Sequence, residues 1–181
     1  MGGPIRAIRI TRRCSKDSME MILRFFSEPA VFPVFILLFV GITFLVFHFT
    51  QKRIIRCYSI VCMCVWGISL LYVTWLSRTP VMETRINLIP FQLDGNAMLF
   101  DYITNIVMFI PFPILLYGIL QKRLSFMTLS VAGIGLSLAI ELLQLLTHRG
   151  ICDIEDFILN SAGVIIGSLL TLLLMKAEKK N

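Results

Sequence analysis

Twenty consecutive residues, Cys57 to Leu76, carry no charge and include two tryptophans, Trp66 and Trp75. A helix needs roughly 20 apolar residues to cross the hydrocarbon core of a bilayer, so this block is expected to be a transmembrane helix. Four further blocks follow the same pattern. Phe157 to Met175 is uncharged and ends against Lys176, Lys179 and Lys180, and Pro29 to Phe49 is closed by Gln51, Lys52 and Arg53. Phe126 to Leu146 is broken only by Glu141, while Ile103 to Leu120 is interrupted by Asn105, Pro111 and Pro113. The expected fold is therefore all-α, an integral membrane bundle of about five transmembrane helices. Its third span is kinked or partly re-entrant, because the backbone groups freed by two prolines must find partners inside the bundle.

Composition agrees with that reading. Hydrophobic residues make up 57% of the 181-residue chain and charged residues only 15%, with a mean hydropathy of +0.83. A soluble domain has about 25% charged residues. An ordinary soluble enzyme, a disordered tail and a disulfide-built secreted module are all excluded. The net charge of +6 and pI near 9.3 belong to the ends of membrane helices rather than to nucleic-acid binding. The expected organisation is a basic tail over residues 1–28 followed by one helical membrane domain over residues 29–176.

Basic residues gather after spans one (Lys52, Arg53, Arg56) and three (Lys122, Arg123) and at the C-terminus. The positive-inside rule places these in the cytoplasm, and the loops after spans two and four then face outward. The tail conflicts with this orientation, since Arg6, Arg9, Arg12, Arg13 and Lys16 would also lie outside. Initiation at Met19 or Met21 would remove the conflict, leaving only Arg24 ahead of span one; a tail that forms a short interfacial helix, or a first block that does not cross, would also resolve it.

Polar residues that a membrane disfavours are the functional candidates, because a charge near the bilayer centre costs roughly 2.5–3.5 kcal/mol on insertion scales. Glu141 is the one carboxylate inside a span. Ser137 at i−4 and Gln144 at i+3 share its helical face, and Arg149 lies at i+8. Asp153, Asp156 and Asn160, spaced i, i+3 and i+7, form a second set as span five begins. Asp153 or Asp156 could simply cap that helix, and Glu155 is expected to project into solvent. Gly163 and Gly167 have the small-xxx-small spacing of close helix packing. Arg78 is a candidate clamp for carboxylate or phosphate, with a snorkelling interfacial arginine as the structural alternative. Asn87 and Asn105 complete the set. Arg78, Asn87, Glu141, Arg149, Asp153, Asp156 and Asn160 are all expected near one outer face. Cys62 and Cys64 read as small apolar residues, no metal-binding motif is present, and no cofactor or catalytic residue is identified.

Taken in order, four blocks resemble the VanZ family, named for a membrane protein associated with resistance to teicoplanin-type glycopeptides. They are Arg85 through Asn87 to Pro90-Phe91; Asn105 through Phe109 to Pro111-Phe112; Ser137 through Glu141 to Gln144; and Arg149 through Asp153, Asp156 and Asn160 to Gly163 and Gly167. The resemblance covers about residues 77–170. One departure is Pro113, where the family usually has glycine, which puts a close backbone approach at that position in doubt.

The resemblance implies a multi-pass protein of a bacterial cell membrane, linked to glycopeptide resistance or cell-envelope homeostasis. Glycopeptides act on the D-Ala-D-Ala end of cell-wall precursors outside the membrane, so the outward polar face is the relevant one. Its expected partners are the lipid bilayer and a cell-wall precursor or anionic lipid. A rival reading is an intramembrane enzyme or transporter acting on a lipid-linked envelope intermediate, with Glu141, Asp153 and Asp156 holding a divalent cation or one of them acting as a general base. Whether the chain is an enzyme is left open.

Overall fold

A computed structural model describes residues 31–78, 86–87, 89, 96–122, 124–149 and 152–178. The basic tail with the two candidate start methionines lies outside the described residues, as do Arg85, Pro90 and Phe91.

Among the described residues there are five apolar rods, since in lipid a helix satisfies its own backbone whatever the β-branched content of its sequence. The first, α1, is Val31–Phe49, 19 residues long. The second, α2, is Lys52–Leu71, continued by a π-helical turn over Tyr72–Leu76. The third is divided into α3, Asn96–Phe109, and α4, Pro111–Leu120. The last two are α5, Phe126–Thr147, and α6, Ile154–Glu178. Among the described residues, four stretches are long and apolar enough to cross a membrane: Lys52–Leu76, Asp101–Leu120, Phe126–Thr147 and Ile154–Ala177. Within α1 the apolar stretch Val34–Phe49 is shorter.

The third rod is interrupted at Ile110. Pro111 and Pro113 have no N–H to donate to the preceding turn. Ile110 N donates to Val107 O at 3.2 Å instead, and the Trp66 indole of α2 donates to Met108 O at 2.8 Å. Ile110 itself keeps right-handed helical angles, φ −57° and ψ −41°, so the chain continues across the break without turning back. Both prolines are fully buried.

Helix α6 is the central rod, packed against α3, α4 and α5. Two glycines permit this. A Cβ at Gly163 would fall 1.9 Å from Ile106 O, and one at Gly167 would fall 2.3 Å from Ile110 O. The close approach placed in doubt by Pro113 is thus supplied by the facing helix, whose Gly167 would bring a Cβ within 3.1 Å of the Pro113 ring. Around this contact Phe109, Leu115 and Val164 are fully buried, with Trp66 edge-on to Phe109 at a centroid distance of 6.2 Å. In contrast, α2 turns Val61, Val65 and Ile68 outward, as a lipid-facing rod should.

Two short strands tie the loops together at one end. Ile86–Asn87 (β1) pairs in parallel with Cys152–Asp153 (β2), setting Ile86 beside Cys152 and Asn87 beside Asp153. The end of α2, the start of α6 and the end of α5 meet there. At the opposite end, the Gln121 side chain donates to Lys52 O.

Candidate functional site

Asp153 organises the polar end of the bundle. It is the residue before α6, and its Oδ1 accepts Glu155 N at 2.9 Å, the geometry of an N-cap. Its Oδ2 accepts the Asn87 amide of β1 at 3.0 Å. Its own backbone N–H donates to Glu141 Oε2 at 3.0 Å, so one residue joins β1, α5 and α6. Asn87 in turn accepts Ile89 N at 3.2 Å through its side-chain oxygen.

One turn into α6, Asp156 receives the Asn105 amide of α3 at 2.5 Å. Arg78, just beyond α2, stands 4.0 Å from its other oxygen, with side-chain exposures of 43% and 27% for the pair. An exposed contact at that separation contributes little, about 0–1 kcal/mol, and leaves most of the guanidinium fork open. Capping therefore falls to Asp153, and Asp156 is a bridging residue.

The π turn of α2 has a defined role at this end. Its Thr74 carbonyl accepts the Gln144 amide at 2.6 Å, while the Thr74 hydroxyl donates to Leu70 O at 2.8 Å. Trp75 of the same turn donates to Thr147 Oγ1 at 2.8 Å. Helix α5 stops at His148, which adopts left-handed angles (φ 52°). Arg149 follows and lies over the Trp75 ring, 5.0 Å from its centroid. It is anchored by a cation–π contact beside the carboxylate cluster.

Inside the bundle, Ser137, Glu141, Gln144 and Asn160 are 0%, 4%, 2% and 3% exposed. Among the described residues, Ser137 Oγ, Gln144 Oε1 and Asn160 Oδ1 find no hydrogen-bond partner. The structure therefore forms two bonded sets at this end, Asn87–Asp153–Glu141 and Asn105–Asp156 with Arg78 at its rim, whose two aspartates lie three residues apart where α6 begins. Gln144 and Arg149 stand at their margin, and Ser137 and Asn160 lie one turn deeper.

Three participants were not singled out from the sequence. Thr74 contributes through its backbone carbonyl, and Trp75 had been read only as part of an apolar span. Glu155 is not solvated as expected: it is 9% exposed and lies beside Tyr102 of α3. Cys152, in β2, has its thiol pKa pushed upward, first by burial and then by the Glu141 carboxylate. Among the described residues no group of three His, Cys, Asp or Glu side chains is arranged to hold a metal ion, so the divalent-cation arrangement of Glu141, Asp153 and Asp156 is not assembled.

The class defined by this architecture is a helical membrane protein whose inner rods are laced together by side-chain amides and carboxylates at one end. A family model described as VanZ/LLP1 matches residues 32–175, and the chain belongs to that family. It is also similar to Protein VanZ of Enterococcus faecium, 35% identical over 85 residues, which are 47% of this chain and 51% of that protein. The chain thus spans about half the length of this curated relative. No solved structure matches.

Proposed function

We propose that this protein sits as a multi-pass protein in a bacterial cell membrane and contributes to resistance against teicoplanin-type glycopeptides, or to envelope homeostasis, through the polar end of its bundle. The orientation expected from the basic loops turns that end outward, toward the compartment where glycopeptides meet cell-wall precursors. Kinship with a protein named VanZ supports the link to resistance.

The observation that carries the reading is the convergence of residues from distant parts of the chain. Asn87, Asp153 and Glu141 are bonded in one set and Asn105 and Asp156 in a second at the same start of α6, with the loosely held Arg78 at the rim of the second. Packing alone does not require carboxylates from two helices and an arginine to meet at a membrane surface, where each is costly to desolvate. A ligand of the envelope bound there would change how the drug reaches its target.

The test is teicoplanin susceptibility of a sensitive bacterial host expressing the full chain. Glu141→Gln keeps size and hydrogen-bonding capacity but removes the charge. It should abolish protection while the membrane level of the protein, followed by immunoblot, stays unchanged. Full protection by the variant would refute the proposal.

A further inference from the structure

We infer that the buried part of this site, between Glu141 and Asn160, binds a primary ammonium group. The inference rests on the reading that the polar end of the bundle takes an envelope ligand, and it supplies the ligand's chemistry.

The register of α5 against α6 brings the relevant atoms together. Ser130 Oγ meets Ser168 Oγ at 3.4 Å, and Gly133 lies against Val164. Continued toward the polar end, this antiparallel register sets Ser137 opposite Asn160 and Glu141 opposite Asp156. Ser137, Asn160 and Gln144 are all more than nine-tenths buried, and each has an oxygen without a partner. The amide oxygens of Asn160 and Gln144 can only accept. A buried acceptor left unpaired costs about 1–3 kcal/mol, and native proteins seldom keep several together without something to satisfy them.

Charge among the described residues points the same way. Glu141, Asp153, Glu155 and Asp156 stand there against Arg78 and Arg149, and Arg149 is committed to the Trp75 ring. The unmet need is for donors and positive charge. A primary ammonium offers three N–H donors and one charge at a single point, matching acceptors spread over two facing helices. Arg78, held to Asp156 only at 4.0 Å, is free to meet a phosphate neighbouring that ammonium in a zwitterionic head group.

The full chain is purified in maltoside detergent and titrated by tryptophan fluorescence, with Trp75 as the reporter beside the site. The probes are short-chain phosphatidylethanolamine, phosphatidylcholine with the same chains, and free phosphoethanolamine. The trimethylated head group has no N–H to give, so phosphatidylethanolamine should bind at least tenfold more tightly than phosphatidylcholine. Both Glu141→Gln and Asn160→Leu should erase that preference. Phosphoethanolamine binding as well as the lipid identifies a soluble amine, and binding of the lipid alone identifies a membrane head group; either supports the inference. Equal affinity for the two lipids overturns it, as does an Asn160→Leu protein that melts higher yet keeps the preference, because Asn160 Oδ1 would then be an unmet structural group. If Glu141→Gln abolishes teicoplanin protection while the lipids are not distinguished, the ammonium inference falls and the proposed function stands. If the tenfold preference holds while protection is unaltered, the ammonium site stands and the proposed function falls.

Discussion

Replacing Gly163 with alanine tests whether the glycine contact between α6 and α3 holds the polar site together. The added Cβ would lie 1.9 Å from Ile106 O, whereas a carbon–oxygen contact relaxes at about 3.3 Å. Helix α6 would have to withdraw by roughly 1.4 Å at this point, because the obstacle is backbone and no side chain can swing aside. Two turns nearer the site, Asp156 is joined to Asn105 by a 2.5 Å hydrogen bond between the same two rods, and a separation of that size breaks it. Overpacking costs about 1–3 kcal/mol, and the lost charge-assisted bond about 1.5–3 kcal/mol. At about 2–4 °C per kcal/mol for a chain of this size, the melting temperature should fall by roughly 5–25 °C. The measurement is thermal unfolding of the purified protein in detergent, with Gly135→Ala as control, since a Cβ there meets nothing within 4 Å. That control should be neutral or raise stability by about 1 kcal/mol through helix propensity. Equal melting of the two variants would refute the reasoning.

Two further outcomes are expected. Asp153→Ala removes the cap on Glu155 N and the bond from Asn87, and loss of such a cap costs about 1 kcal/mol; the same melting assay should show a fall, with Asp153→Asn retaining more than half of the wild-type stability gain. In a chain keeping Cys152 as its only thiol, alkylation by iodoacetamide should be slow at pH 8, because burial and then Glu141 hold the thiol above its ordinary pKa. Since the thiolate is the reacting form, Glu141→Gln should move the pH–rate curve to lower pH; an unmoved curve would show that the carboxylate does not act on the sulfur.

The rods were legible because charge is so sparse that each membrane boundary is marked by it. The block ending at Leu76 ends with the π turn, and Lys176 stands in the last turn of α6. Pro111 and Pro113 announced an interruption, and the freed segment's partner, the Trp66 indole, was beyond reach because the pairing joins residues 42 positions apart. Within the site, helical spacing grouped Ser137 with Glu141 and Gln144, and Asp153 with Asp156 and Asn160. It could not say which carboxylate caps and which bridges, because that depends on Asn105 arriving from α3. The β1–β2 pairing was invisible, as two-residue strands have no period. Thr74 was missed for another reason: it acts through a carbonyl exposed by a π turn, which no side-chain pattern encodes. Spacing and the expected outer face put Arg149 among the site candidates, and the structure sets it over the Trp75 ring.

The central claim is that the loop after α2 folds onto the start of α6 and so completes the site. Cysteines introduced at Asn87 and Asp153, register partners in the parallel pair, in a chain otherwise free of cysteine, report on this in intact membranes. Mild oxidation should give an intramolecular disulfide, seen as a faster band on a non-reducing gel, while Asn87→Cys with Lys122→Cys should give none. Absence of the cross-link in the first pair, or its equal formation in both, would contradict the account.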